Sequence, residues 1–191
     1  MGEARAAPLV TPLVAMLAGE PAWFDSAAPL LEALLGPIAL ASPVYPFDVT
    51  SYYAPTMGTA LCRRFLAFER LAGPAALPDW KLAANAMEAT LRAALHAAAA
   101  QAGRPVPQRP VNLDPGYLTG AKLVLASTKD FAHRLYLRDG IFAEITMSFR
   151  GDAWVCHQFT FPDFKSGVYD AFLTQARDRH LRALKQARGA E

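Results

Sequence analysis

The chain has 191 residues, 53% of them hydrophobic and 19% charged, which is enough to bury one core and is the usual size of a single domain. Nineteen Lys and Arg stand against seventeen Asp and Glu, a formal charge of +2 that supplies no field for nucleic-acid or membrane phosphates, so neither is an expected partner. Two cysteines, Cys62 and Cys156, lie far apart without CxxC or Cys/His ligand spacing, which argues against a disulfide scaffold and a zinc site and fits a reducing, cytoplasmic setting.

Residues 6–18 are an apolar run broken by Pro8 and Pro12 and far short of the ~20 residues that span a bilayer, so residues 9–18 are read as a buried strand and not as a leader. Asp25 or Ser26 can cap a following helix in which Leu30, Leu31, Leu34 and Leu35 recur at helical spacing, and Gly36-Pro37 ends it. Residues 38–45 predict a second strand, and residues 46–58 a polar-aromatic loop. Residues 61–71 fit neither period cleanly; the reading taken is a strand, with a helix as the alternative.

Asp79 can cap the longest helix, running to about residue 100, with Trp80, Ala84, Met87, Leu91 and Leu95 as its buried stripe. Beside it Lys81, Asn85, Glu88 and Arg92 recur at helical spacing and read as a solvated face, stitched by a Glu88 to Arg92 pair worth ~0.2–0.5 kcal/mol. Residues 103–110 form a Pro-rich connector too short to separate two domains.

Residues 111–114 predict a short strand that ends at a tight Pro115-Gly116 turn, with Gly116 supplying positive φ. Thr119 then caps a short helix holding Lys122, Val124 and Leu125, which sets Lys122 and Lys129 one heptad apart. Residues 131–137, 141–149 and 153–161 read as a β-meander turned at Arg-Asp-Gly and Arg-Gly-Asp.

In the first hairpin a three-residue loop keeps both faces consistent, opposing Leu137 to Ile141, Leu135 to Ala143 and Arg134 to Glu144. That register puts Arg134, Tyr136, Phe142, Glu144, Thr146 and Ser148 on one face, and Leu135, Leu137, Ile141, Ile145 and Met147 on the core face. His133 falls on the core side. The second hairpin admits a two-residue or a three-residue loop. A helix over about 166–187 closes the chain, with Val168, Phe172, Ala176, Leu181 and Leu184 inward.

These elements predict an α+β class: a mixed or antiparallel sheet with a C-terminal β-meander and helices mainly on one face, compatible with a ferredoxin-like start.

Several motifs fall in one order. They are PFDVTSYY at 46–53 with Met57-Gly58, RRFLAFE at 63–69, NLDPGYLT at 112–119, KLVLASTKD at 122–130, HRLYL at 133–137, GIFAEIT at 140–146 and FPDFKS at 161–166. In these the chain resembles, from about residue 9 to 175, a family of small bacterial and archaeal proteins of unknown function, some of them labelled GTP-binding. The label implies no mechanism that these residues support. A P-loop requires GxxxxGK[ST] to wrap phosphates, and the chain has none; Thr128-Lys129-Asp130 lacks the spacer of the guanine-reading [NT]KxD motif.

The candidate chemistry concentrates in residues 111–136. Asp114 lies at a strand end, a common ligand position, and equally suits an Asx turn. His133 can move protons near neutral pH, with Asp114 or Asp130 as orienting carboxylate, or simply pack against its neighbours. Lys122, Lys129 and Arg134 hold an anion only if they converge. Tyr117, Glu144, Asp48 and Arg64 complete the expected ligand-binding set, Asp48 with Tyr52 and Tyr53 at the mouth of a pocket. Arg134 and Glu144 also fit a cross-strand pair worth ~0.2–1 kcal/mol.

Two functions follow as expectations. The first is a site for a phosphorylated or carboxylated small molecule, in which Asp114 and His133 manage protons or a hard cation. The second is a non-catalytic module that meets a partner or a second copy through the meander's outer face, where Tyr136, Phe142 and Trp154 are expected exposed. No Ser-His-Asp order, HExxH or EF-hand spacing is present. The sequence names no cofactor, no substrate and no metal ligand set, and leaves open whether the protein is an enzyme.

Overall fold

A strand buried along its whole length must have both faces of its sheet covered. The computed structural model, which describes residues 2–189, shows this for β1 (Thr11–Ala18), all eight residues of which are buried. The other elements are α1 (Ala22–Leu35), β2 (Ile38–Ala41), β3 (Tyr45–Phe47), α2 (Ala54–Met57), β4 (Leu61–Phe68), α3 (Leu77–Ala102), β5 (Val111–Leu118), β6 (Lys122–Ser127), β7 (Leu135–Arg138), β8 (Ile141–Arg150), β9 (Ala153–Cys156), α4 (Pro162–Lys165) and α5 (Asp170–Gly189). No helix among the described residues is long and apolar enough to cross a membrane.

The strands form one antiparallel sheet in the order β2-β4-β1-β5-β6-β8-β7, with β3 also on β4 and β9 also on β8. The class is α+β, as the element pattern predicts. Within it, β1-α1-β2-β4-α3-β5 is a split β-α-β repeat, because β4 sits between β1 and β2 and β1 sits between β4 and β5. That is the ferredoxin-like arrangement. Val14, Met16 and Ala18 of β1 point to α1 and α3, burying Trp23, Phe24, Leu31, Trp80 and Leu91. Leu13 and Ala15 point the other way, into a core with Phe65, Leu118, Leu123, Phe172 and Leu173, so α5 covers the opposite face. The strand reading of residues 61–71 is the one β4 follows.

Several local expectations are overturned, each for a physical reason. α1 begins at Ala22 and α3 at Leu77, so Asp25 and Asp79 lie in first turns and do not cap; Ser26 bonds back to the Ala22 carbonyl. The strand expected over 38–45 breaks at Ser42-Pro43, where Ser42 Oγ accepts the Phe65 amide at 2.9 Å in place of a ladder carbonyl. The closing helix, expected from about residue 166, begins at Asp170 as α5, with the short α4 lying before that range, and Val168 and Leu181 are exposed while Leu173 and His180 turn inward.

The larger correction is at residues 114–127. β5 runs straight through Asp114-Pro115-Gly116, pairing Pro115 with Val14 and Gly116 with both Leu13 and Leu125. Gly116 is needed for proximity and not for a turn. A Cβ there would lie 2.2 Å from the Val124 carbonyl oxygen. The helix expected after Thr119 is instead β6, and Thr119 Oγ1 accepts the Ala121 and Lys122 amides in the intervening turn.

Both meander hairpins have two-residue loops in which each residue has positive φ: Asp139 (54°) and Gly140 (74°), then Gly151 (54°) and Asp152 (61°). Arg138 therefore opposes Ile141, where Leu137 was expected; the register slips at Leu137, which restores the expected Leu135 to Ala143 pair. On β8 a bulge places Leu123 opposite Met147 but Val124 opposite Ile145, with Thr146 as the extra residue. Strict alternation ends there, so Glu144 shares a side with Met147 and not with Ser148. Leu135, Leu137 and Ile145, expected in the core, are exposed, and Trp154, expected outside, is buried.

Candidate functional site

The ladder between β5 and β6 extends only from Leu118↔Leu123 to Gly116↔Leu125. Beyond it the two strands are unpaired, and a cavity of about 580 Å³ opens between Asn112 and Asp114 on one side and Ala126 and Ser127 on the other. Phe47 to Tyr53 close one wall, Arg63 of β4 and the Phe161 to Phe164 segment another, and Thr128, Lys129, Arg134 and Glu144 a third. Five cations (Arg63, Lys81, Arg109, Lys129, Arg134) line it against three carboxylates (Asp114, Glu144, Asp163).

The charges are organised in networks. Lys81, 4% exposed on the inner side of α3, donates to the Leu113 carbonyl at 2.8 Å and to Asp114 Oδ1 at 3.0 Å. Asn112 Nδ2 donates to Asp114 Oδ2 and its Oδ1 accepts from Arg109, which also donates twice to Glu88 at 2.8 and 3.1 Å. Glu88 then receives the Leu113 amide at 2.7 Å. Burial pushes the Asp114 carboxyl up, but Lys81 and the Asn112 amide outweigh it and hold the group below the usual carboxylate range.

A second network centres on Glu144, 4% exposed, whose Oε2 accepts from Arg134 Nε at 2.7 Å and from His133 Nε2 at 2.8 Å. A carboxylate only accepts, so His133 Nε2 carries the proton. The imidazole stacks on Phe159 with centroids 4.6 Å apart, and its Nδ1 is buried without a partner. A buried carboxylate bound this way loses several kcal/mol when a partner is removed, far above the exposed cross-strand estimate.

At the mouth Lys129 Nζ lies 4.4 Å from the centre of the Tyr52 ring and donates to its hydroxyl, a contact that lowers the Tyr52 pKa below its ordinary value. Lys129 has no carboxylate within ion-pair distance among the described residues. Burial, reinforced by the Asp114 charge, raises the neighbouring Tyr53 to about 12.

The cavity thus collects Asp114, Lys129, Arg134 and Glu144 of the expected set. His133 stands behind Glu144 and does not line the wall. Tyr117 packs against the α1/α3 core, Lys122 opposes Ser148 at the far end of β6, Arg64 pairs with Asp25 at 3.1 Å, and Asp48 is exposed beside the lining residues Phe47 and Val49. Lys122 therefore does not converge with Lys129 and Arg134.

The residues missed are Arg63, Lys81, Asn85, Arg109, Asn112 and Asp163. Lys81 and Asn85 had a signal, the polar row on α3, whose first two members line the cavity while Glu88 is half-buried behind it and Arg92 is exposed. Glu88 pairs with Arg109 and not with Arg92. Among the described residues no group of three or more His, Cys, Asp or Glu is placed to hold a metal ion.

One family model matches the chain, over residues 8–180; its description is Domain of unknown function (DUF4416). No curated protein and no solved structure matches.

Proposed function

The chain belongs to the DUF4416 family, whose function is unknown, and we propose that the cavity between β5, β6 and the β3-α2 segment binds a small anionic molecule, phosphorylated or carboxylated. The observation that carries this reading is the excess of cations over carboxylates in one cavity, with Lys129 at its mouth free of any acidic partner among the described residues. A low-dielectric recess lined this way favours a negative ligand, and its aromatic wall of Phe47, Phe161 and Phe164 suits the ligand's less polar body. Asp114 is fixed by Lys81 and Asn112 and acts as a structural acceptor that sets the cations in place.

The test is a thermal-shift screen of inorganic phosphate, sugar phosphates, nucleotides and carboxylates, because a ligand at 100 times its dissociation constant stabilises the fold by ~2.7 kcal/mol. Stabilisation by one of these anions that is reduced in Lys129→Ala is the expected result. No stabilisation by any of them would sink the reading.

A second reading rests on a different surface. Leu135 and Ile145 are 75% and 48% exposed on the meander, an apolar face that suits contact with another chain. Light scattering of wild type against Leu135→Glu tests self-association there; a monomer in both excludes it.

A further inference from the structure

Arg63 differs from the other cations of the cavity. Its residue exposure is 5%, and the guanidinium lies over the Phe47 ring at 4.8 Å, with Phe65 and Phe164 each at 5.8 Å. Its Nε is 2.8 Å from Asp163 Oδ2 but not aligned for a hydrogen bond, and that oxygen already receives the Tyr169 hydroxyl at 3.1 Å. Apart from the Tyr169 hydroxyl, which its charge touches, the terminal nitrogens have no hydrogen-bond partner among the described residues. Arginine cannot shed its charge, so a buried fork of this kind keeps its full demand for acceptors. It lines the cavity, so acceptors on a molecule held there can reach it.

A complementary demand comes from Glu144. Both of its donors, His133 and Arg134, converge on Oε2, and Oε1 has no hydrogen-bond partner among the described residues. The residue is 4% exposed and lines the same cavity, so the free oxygen can accept from a donor held there.

Resting on the anion-binding reading above, we infer that the ligand is a hydroxylated anion whose carboxylate or phosphoryl oxygens take the Arg63 fork in two-point contact, and whose hydroxyl donates to Glu144 Oε1. Arg63 is then the inner anchor of the site, and Lys129 and Tyr52 close behind the ligand. A planar fork matches paired oxygens in a way that an ammonium does not.

The experiment is calorimetric titration with inorganic phosphate, glucose 6-phosphate, gluconate and succinate. The two hydroxylated anions are expected to bind more tightly than phosphate and succinate. Whichever of the two binds tighter identifies the head group as phosphoryl or carboxylate.

Arg63→Lys keeps a charge for Asp163 but loses the fork, and is expected to weaken the hydroxylated anions roughly ten- to a hundredfold. Glu144→Gln is expected to abolish their advantage over succinate while retaining succinate binding. Should either variant unfold, the Arg63 Nε–H resonance of arginine-15N-labelled wild type provides the same readout, shifting when gluconate or glucose 6-phosphate is added.

Anion binding that leaves the Arg63 resonance unmoved, or that is equal in Arg63→Lys, overturns this inference and leaves the cavity reading standing. Gluconate binding no tighter than succinate, together with glucose 6-phosphate binding no tighter than phosphate, overturns the acceptor role of Glu144. Absence of any anion binding overturns both readings together.

Discussion

Lys81 of α3 and Asp114 of β5 are joined at 3.0 Å across the end of the β5-β6 ladder, and the same ammonium caps the Leu113 carbonyl. The helix is thereby tied to the sheet at the point where two strands separate. Replacing Lys81 with Met strands a half-buried carboxylate and a backbone oxygen, and should destabilise the protein by about 3 kcal/mol in urea unfolding, the lower end of what breaking a buried pair costs. The double variant Lys81→Met/Asp114→Leu should recover part of that loss; a single variant as stable as wild type would deny the tie any weight.

Gly116 is the contact point of β5 and β6. With the Val124 carbonyl oxygen 2.2 Å from where a Cβ would stand, Gly116→Ala must push the strands apart, a cost of about 3 kcal/mol at the upper end of overpacking effects. Gly73→Ala, which meets nothing within 4 Å, should shift stability by about 0.5 kcal/mol at most. Comparable melting temperatures for the two variants would contradict the close approach.

His180 gives stability a pH dependence. It is 1% exposed, its Nδ1 is 3.0 Å from Thr11 Oγ1, and burial, with the Arg177 charge, lowers its pKa from 6.5. The unfolded chain therefore takes up the proton first, so the contribution is complete above pH 6.5 and is lost as pH falls below it toward the folded value. The melting temperature should decline with acidification through that window, and His180→Gln should decline less. Parallel profiles would show that another group is responsible.

The Tyr52 phenol, lowered from 10.0 by the Lys129 contact, should ionise before the other tyrosines, and Tyr53, at about 12, after most of them. Ultraviolet titration should show one early tyrosinate that disappears in Tyr52→Phe and moves up in Lys129→Met. An unchanged early step in Lys129→Met would place the cause elsewhere.

β1 was legible because residues 13–18 are an unbroken apolar run, and the α3 stripe because alanine-rich sequence with Trp80, Ala84 and Leu91 has a single period; β4, with Arg63 and Arg64 in its middle, showed neither period cleanly. Asp114-Pro115-Gly116 misled because turn-forming residues also serve a strand that meets its neighbour at contact distance. The α3 polar row misled because periodicity separates faces without showing which of two adjacent faces another strand covers. On β8 one extra residue, Thr146, reversed the alternation on which the facing of Ile145 and Ser148 depended. Arg63, distant in sequence from residues 111–136, became a neighbour of that segment only through the antiparallel pairing of β1 with both β4 and β5, whereas Arg109, two residues before the segment, lay in the 103–110 stretch read only as a connector.

The ferredoxin-like half of the sheet ends at β5, and the meander is grafted onto that edge. A chain cut after Leu118 would lose Lys129, Arg134, Glu144 and Asp163, four of the eight charges in the cavity, and with α5 the cover over Leu13 and Ala15. The recess belongs to the join between the two parts of the sheet, so neither part holds it alone.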